Sequence, residues 1–351
     1  MTIAAEGNAE AAPAVPWRAG LAAAGTSVMF GFVPLAARGL YADGLSTWSL
    51  LCWRYLLALV IILAAIRLAR LRLGVALRRG AWRIALVGVS LGAVQTLCFF
   101  QSLRRLDTGI AVLLFYTFPV VTLAVERYFF RQRVAPAALL CVIVILAGAA
   151  LIAAPGLHDG TIDVRGLAWA VPGPVIYAFY LAANARLMAR HPPLLGAGFL
   201  YGGLAVTYLG AALWLGASLP KSVPGWLSLA FLALGPGAVA AVAQSYSMPR
   251  LGAPTYAIIA NCELVTVVVV GAAVLGEKLT PTRALGGGLI LAGIVLHGWA
   301  RKPPRDRIAK KPRVAARRPA AGSPYREAPD GLMAALFGER KVRAPRGHGA
   351  G

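Results

Sequence analysis

The sequence predicts an all-α polytopic membrane protein: ten transmembrane helices as two inverted five-helix repeats, followed by a disordered basic C-terminal tail. Three observations predict it. Of 351 residues, 59% are hydrophobic and only 14% charged, with a mean hydropathy of +0.70, whereas a soluble domain carries about 25% charged residues. The apolar residues fall in long runs rather than in short alternating segments, so a helical bundle is expected and a β-barrel is not. Part of the first half of the chain recurs in the second.

A helix needs roughly 20 apolar residues to cross the hydrocarbon core. Ten runs meet that need, at about 19–37, 47–66, 84–103, 109–130, 136–154, 166–188, 194–217, 226–248, 254–275 and 281–300. Short linkers make neighbours antiparallel. Residues 1–18 carry Glu6 and Glu10 and lack a basic stretch. They read as an N-terminal cytoplasmic segment, and the first run as an uncleaved signal anchor. The repeats occupy 19–154 and 166–300. From Arg301 to Gly351 the chain is basic and Pro-rich, too poor in large apolar residues to fold alone. Its charge attracts anionic headgroups, at ~1 kcal/mol per basic residue near the surface.

The formal net charge is +22. No zinc-finger spacing, phosphate loop or basic-aromatic stripe accompanies it, so membrane topology and anionic lipid explain it and a nucleic-acid partner is not expected. With the N-terminus inside, thirteen Lys and Arg lie in inner segments and seven in outer ones, without the tail. The expected topology in a bacterial-type inner membrane is therefore N-in and C-in. Cys52, Cys98, Cys141 and Cys262 lie inside apolar runs and read as packed side chains. The four His form no metal set, and no cofactor is expected.

Ionisable and polar groups at bilayer depth are costly, about 2.5–3.5 kcal/mol for a charge, and normally face the interior. Glu263 near the middle of the ninth run and Arg54 in the second sit at similar depth. They read as a carboxyl that titrates or holds a cation and a guanidinium that neutralises it or holds a carboxylate. The alternative is a purely structural Arg–Glu pair. Gln95, Tyr116, Tyr177, Tyr180, Asn184 and Gln244 are further intramembrane polar candidates. Tyr177 and Tyr180 share a helix face at i,i+3, and with Trp53 and Phe99 they could line a cavity for an apolar or aromatic solute; the alternative for each polar candidate is interhelical packing. Asn261 and Glu263 stand about 200° apart around one helix, so Asn261 reads as an interface residue or a second cavity group. Glu126-Arg127 and Glu277-Lys278 read as charge pairs at helix ends. Gly31 and Pro34, Val171-Pro172-Gly173-Pro174 and Gly235-Pro236-Gly237 mark kinks that could act as hinges or bare carbonyls. Gly286-Gly287-Gly288 reads as a packing surface.

Shifting the chain by 145 positions aligns 82–151 with 227–296 without a gap, giving sixteen identities. They include Gly92/Gly237, Arg105/Arg250, Pro136/Pro281 and the block Ile145-Leu146-Ala147-Gly148 with Ile290-Leu291-Ala292-Gly293. Five helices separate the copies, and an odd number reverses direction, so an inverted-topology repeat is expected.

These residues resemble the EamA family of the drug/metabolite transporter superfamily. The first half carries TSVMFGFVPLAARGL, LSTWSLLCWRYLLAL and SLRRLDTGIAVLLFYTFPVVTLAVE. The second carries SMPRLGAPTYAIIANCELVTVVVVGAAVLGEKLTPTRALGGGLILAGIVL. The family often has Glu-Pro in the ninth helix. Here it is Glu263-Leu264, with Phe118-Pro119 in the equivalent position and Gln132 opposite Glu277. The resemblance implies a secondary transporter of a small organic solute, such as a metabolite, amino acid or amphiphilic drug. It favours efflux by alternating access around a midplane cavity, with proton coupling as one energy source. An intramembrane lipid-processing enzyme would need paired Asp, a His cluster or a Ser–His set at bilayer depth, and none is present in the sequence. A scaffold acting through the basic tail is the remaining alternative.

Overall fold

The computed structural model describes residues 16–106, 108–132, 135–153, 163–275 and 280–300, and these contain helices and connections without strands. The N-terminal segment before Pro16, the loop with Glu277 and Lys278, and the basic tail lie outside the described residues. Eight helical segments among those described are long and apolar enough to cross a membrane. A shorter apolar helix spans Pro136–Ile152, and a further helix covers Pro281–Ala300. The outward surface is apolar: Leu213 is 79% and Trp214 89% exposed. Such a surface is stable only in contact with lipid, and the protein is an integral membrane protein.

The first crossing segment consists of α1 (Trp17–Gly31) and α2 (Val33–Ala42). The second is unbroken, α3 (Thr47–Leu68), begun by Ser46, whose hydroxyl accepts from the Ser49 N–H at 3.1 Å. After a short α4 (Leu73–Arg78), the third joins α5 (Trp82–Val87), a π-helical segment (Gly88–Gly92) and α6 (Ala93–Arg105). The fourth is α7 (Thr108–Phe115) with α8 (Phe118–Tyr128), and α9 (Pro136–Ala153) follows. Then come α10 (Val164–Ala170) with α11 (Pro172–Met188), and the unbroken α12 (Pro193–Leu215). Next are α13 (Val223–Leu232), a second π-helical segment (Ala233–Val239) and α14 (Ala240–Leu251). Last are α15 (Ala253–Ala260), α16 (Cys262–Leu275) and α17 (Pro281–Ala300).

The interruptions follow from local chemistry. Pro34, Pro119 and Pro172 stand in the first turns of α2, α8 and α11. Each lacks an N–H, and each disfavours helical backbone in the residue before it. The break before α16 has no proline. Asn261 makes it instead, donating its Nδ2 to the Ala257 and Ile258 carbonyls at 2.8 and 3.2 Å. Such local side-chain bonding competes with the helix ladder.

Close helix contacts depend on small residues. A Cβ on Gly148 of α9 would stand 2.5 Å from the Gly286 carbonyl of α17, and one on Gly286 would stand 2.6 Å from the Gly148 carbonyl. A Cβ on Gly293 would likewise stand 3.0 Å from the Cys141 carbonyl. Gly286 of the triple glycine therefore sits where α9 and α17 touch.

The two ends of the bundle differ. Arg79 and Arg190 meet around His191, whose pKa is lowered by burial first and by the two arginines next. This is the basic end. At the other end Asp43 accepts from the backbone N–H groups of Lys221 (2.7 Å) and Ser222 (3.2 Å). Its pKa is lowered, first by the hydrogen bond from the Ser222 side chain. Arg105 pairs there with Asp163 at 3.5 Å.

Candidate functional site

The interrupted segments, with the unbroken α3 and α12, surround a cavity of about 90 Å³. Its wall combines one guanidinium, Arg54, one carboxyl, Glu263, and the polar groups of Gln95, Thr96 and Gln244 with aromatic rings. Arg54 projects from unbroken α3 and is 5% exposed. Its guanidinium carbon lies 5.3 Å from the Tyr55 ring and 5.4 Å from the Phe100 ring. Its Nε has no hydrogen-bond partner. A buried cation that rests on ring faces and forms no salt bridge among the described residues is an incompletely compensated charge.

Glu263 comes from the first turn of α16, just past the Asn261 break. The carboxyl and Arg54 interact electrostatically, yet they form no ion pair among the described residues, whose two salt bridges are elsewhere. The Tyr116 hydroxyl faces Glu263 and makes no hydrogen bond of ordinary geometry. On the other flank Gln244 donates to the Tyr256 hydroxyl at 3.1 Å.

The aromatic wall is continuous. Phe115 contacts Phe99 at 4.7 Å and Tyr177 at 5.1 Å between ring centroids. Tyr177 stacks on Tyr180 at 5.5 Å, as their i,i+3 spacing requires. Tyr55 meets Tyr201 edge-on at 5.2 Å. The second π-helical segment and the first residue of α6 supply acceptors for tyrosine hydroxyls. The Tyr201 hydroxyl donates to the Pro236 carbonyl at 3.4 Å. The Tyr208 hydroxyl donates to the Ala93 carbonyl at 2.6 Å. Tyr55 and Thr96 hydroxyls lie 3.2 Å apart, and Gln95 donates to Thr96 at 2.7 Å.

Of the residues singled out in the sequence, Arg54, Gln95, Phe99, Tyr177, Tyr180, Gln244 and Glu263 line this one cavity. Four others, Trp53, Asn261, Tyr116 and Asn184, do not. Trp53 turns away and donates its Nε1–H to the Ser218 carbonyl at 2.9 Å, because it stands one position, about 100°, from Arg54 around α3. Asn261 is fully buried and spends its amide on its own helix. Tyr116 lies behind Glu263 at the α7–α8 break, 1% exposed. Sequence reading passed over Phe30, Phe115 and Tyr201, which line the cavity. For Phe30 and Phe115 the breaks two residues on, at Phe32 and Thr117, were the available signal; Tyr201, in unbroken α12, reaches the cavity only through tertiary packing. Sequence reading also paired Glu126 with Arg127, whereas the structure pairs it with Arg186 of α11 by two bonds of 2.9 and 2.7 Å.

A family model described as the EamA-like transporter family matches twice, at residues 17–154 and 164–299. The threonine/homoserine exporter RhtA of Escherichia coli (strain K12) is 29% identical over 211 residues, 58% of this chain and 67% of the exporter. The same exporter from a second Escherichia coli strain, CFT073, aligns with the same figures. A solved crystal structure superposes with a TM-score of 0.67 at 20% identity, over 80% of this chain and 96% of the other.

Proposed function

We infer from one premise, that the chain belongs to the EamA-like transporter family, that it is a secondary transporter exporting a small zwitterionic solute of the amino-acid type. The observation that carries this reading is the pair of charges in the cavity. Arg54 and Glu263 share one apolar-walled space without forming an ion pair with each other. A solute with a carboxylate and an ammonium group supplies the missing partner to each. The aromatic wall then takes the solute's carbon skeleton. The likeness to a threonine/homoserine exporter supports an amino acid and an outward direction.

In this reading ten membrane helices form two five-helix halves of opposite orientation, N-in and C-in, in the inner membrane. Several correspondences support the pairing of halves. The π-helical segments start at Gly88 and Ala233, in the 145-residue register of the sequence repeat. The breaks at Tyr116 and Asn261 keep that register. So do the crossed glycine contacts, Gly148 on Gly286 and Gly293 on Cys141. A pseudo-two-fold relation produces such reciprocal contacts. Rocking of the halves exposes the cavity to each side in turn. Glu263 binds either the solute cation or a proton, which couples export to proton entry.

Liposomes containing the purified protein test this. A panel of amino acids and uncharged analogues is loaded, and flux is followed with and without a pH gradient. Zwitterions are expected to move faster than the analogues. Arg54→Gln is expected to lower flux at least about tenfold, since a charged hydrogen-bonded partner is lost. Glu263→Gln is expected to remove the response to the gradient. Equal flux of zwitterions and analogues in all three proteins would discard the reading.

A further inference from the structure

The Glu126–Arg186 pair is the best-formed ionic contact in the described structure, and solute binding does not use it. Glu126 lies near the basic end of α8 and is 2% exposed. Both its oxygens accept from Arg186, which also donates to the Ala182 carbonyl at 2.7 Å. The guanidinium rests 3.5 Å from the centre of the Phe130 ring. Three fixed partners hold one cation in place, and the pair joins a helix of the first family match to a helix of the second.

Among the described residues the other end is held less firmly: its Arg105–Asp163 pair is a single contact of 3.5 Å between side chains more than a third exposed, and it does not occupy the positions equivalent to Glu126 and Arg186. The 145-residue register puts Gly271 opposite Glu126, and counting from the starts of the two family matches puts Gly39 opposite Arg186. Neither glycine can form an ion pair. Instead α2 approaches α13, where a Cβ on Gly39 would lie 3.5 Å from the Ser228 hydroxyl. The cavity stops short of the basic end. Beyond Tyr180 and Gln244, Asn184, Ser247, Met248 and Thr255 are all 0% exposed.

Asn184 carries a second sign of what the pair closes. It follows Tyr180 by four residues, on the same face of α11 as Tyr177 and Tyr180. Both polar atoms of its amide are buried without a hydrogen-bond partner. A dry, unpaired amide is costly. It is relieved in a conformation where water or solute reaches that face.

We propose that Glu126–Arg186 is a latch that holds the basic end of the bundle shut, and that the route it closes runs along the α11 face bearing Tyr177, Tyr180 and Asn184. The inference rests on the rocking of two halves proposed above. Separating α8 from α11 breaks the bidentate contact and hydrates both ions, so the latch biases the protein toward the state with its basic end closed.

The test reads accessibility, which needs no solute. Asn184→Cys is placed in the full chain, and inside-out membrane vesicles are treated with a membrane-impermeant maleimide. The labelling of the parent without that cysteine is subtracted. Glu126→Gln or Arg186→Gln is expected to speed labelling roughly tenfold. The charge-swapped double variant Glu126→Arg with Arg186→Glu is expected to return it toward the parent rate. Arg186→Lys keeps the charge and gives up the bidentate geometry. It is expected to fall between, and it serves if the glutamine variants do not fold. An unchanged rate in folded single variants, in Arg186→Lys, or a swapped pair as fast as the singles overturns the proposal. Latch-dependent labelling with no flux of any solute would discard the transport reading and leave the latch standing.

Discussion

Arg54 and Glu263 show how a membrane interior makes single residues informative. Each is costly at that depth, and each faces the cavity rather than the other. One helical step before them, Trp53 and Cys262 do not line it, whereas Tyr55, one step after Arg54, does. Asp43 illustrates the same economy outside the membrane. It ties α2 to the segment before α13 through two backbone N–H groups, and a Cβ on Gly225 would collide with its carboxylate. Since its pKa is lowered from 3.8, its contribution to stability is present above that value and is lost as the pH falls below it. Asp43→Asn is expected to lower the melting temperature more at neutral pH than near pH 3. Melts of the purified protein in detergent at both values check this.

At the scale of the element, discontinuity shapes the site. Straight helices would present side chains only. The breaks at Phe32, Tyr116–Thr117, Val171 and Asn261 and the two π-helical segments also redirect the chain at cavity depth. Three of the breaks were legible as prolines. The π-helical segment at Gly88–Gly92 has no proline and was not legible, because it packs closely against α12, where a Cβ on Gly88 would meet the Leu200 carbonyl. The α9–α17 pair relies on the reverse feature, uninterrupted helices with small residues facing. Gly148→Val or Gly286→Val is expected to destabilise the protein by about 1–3 kcal/mol through overpacking. Gly287→Val, where a Cβ meets nothing within 4 Å, is expected to be nearly neutral. Denaturant unfolding in mixed micelles separates the three.

For the whole molecule, both family-matched segments contribute residues to the cavity, and residues 301–351 follow the second. Removing residues 301–351 is expected to leave solute flux per molecule within about twofold, since every residue lining the cavity lies between Phe30 and Glu263. A scaffold working through that tail would instead lose its activity. Quantified flux of the truncated protein in liposomes of neutral lipid decides between them.

Class, membrane residence and the existence of two related halves were set by the sequence itself. Hydropathy is a local sum over about 20 residues, and a repeat is visible as residue identity at a constant offset. The partners across the bundle were decided by tertiary structure alone. Whether Glu126 meets Arg127 or Arg186 depends on which faces of α8 and α11 turn together. The same rotation decides which ring follows Phe99 along the wall and where Asn261 spends its amide. A shift of one residue turns a helical side chain by about 100°. That angle is set by the packing of every neighbouring helix at once, information that no single stretch of chain contains.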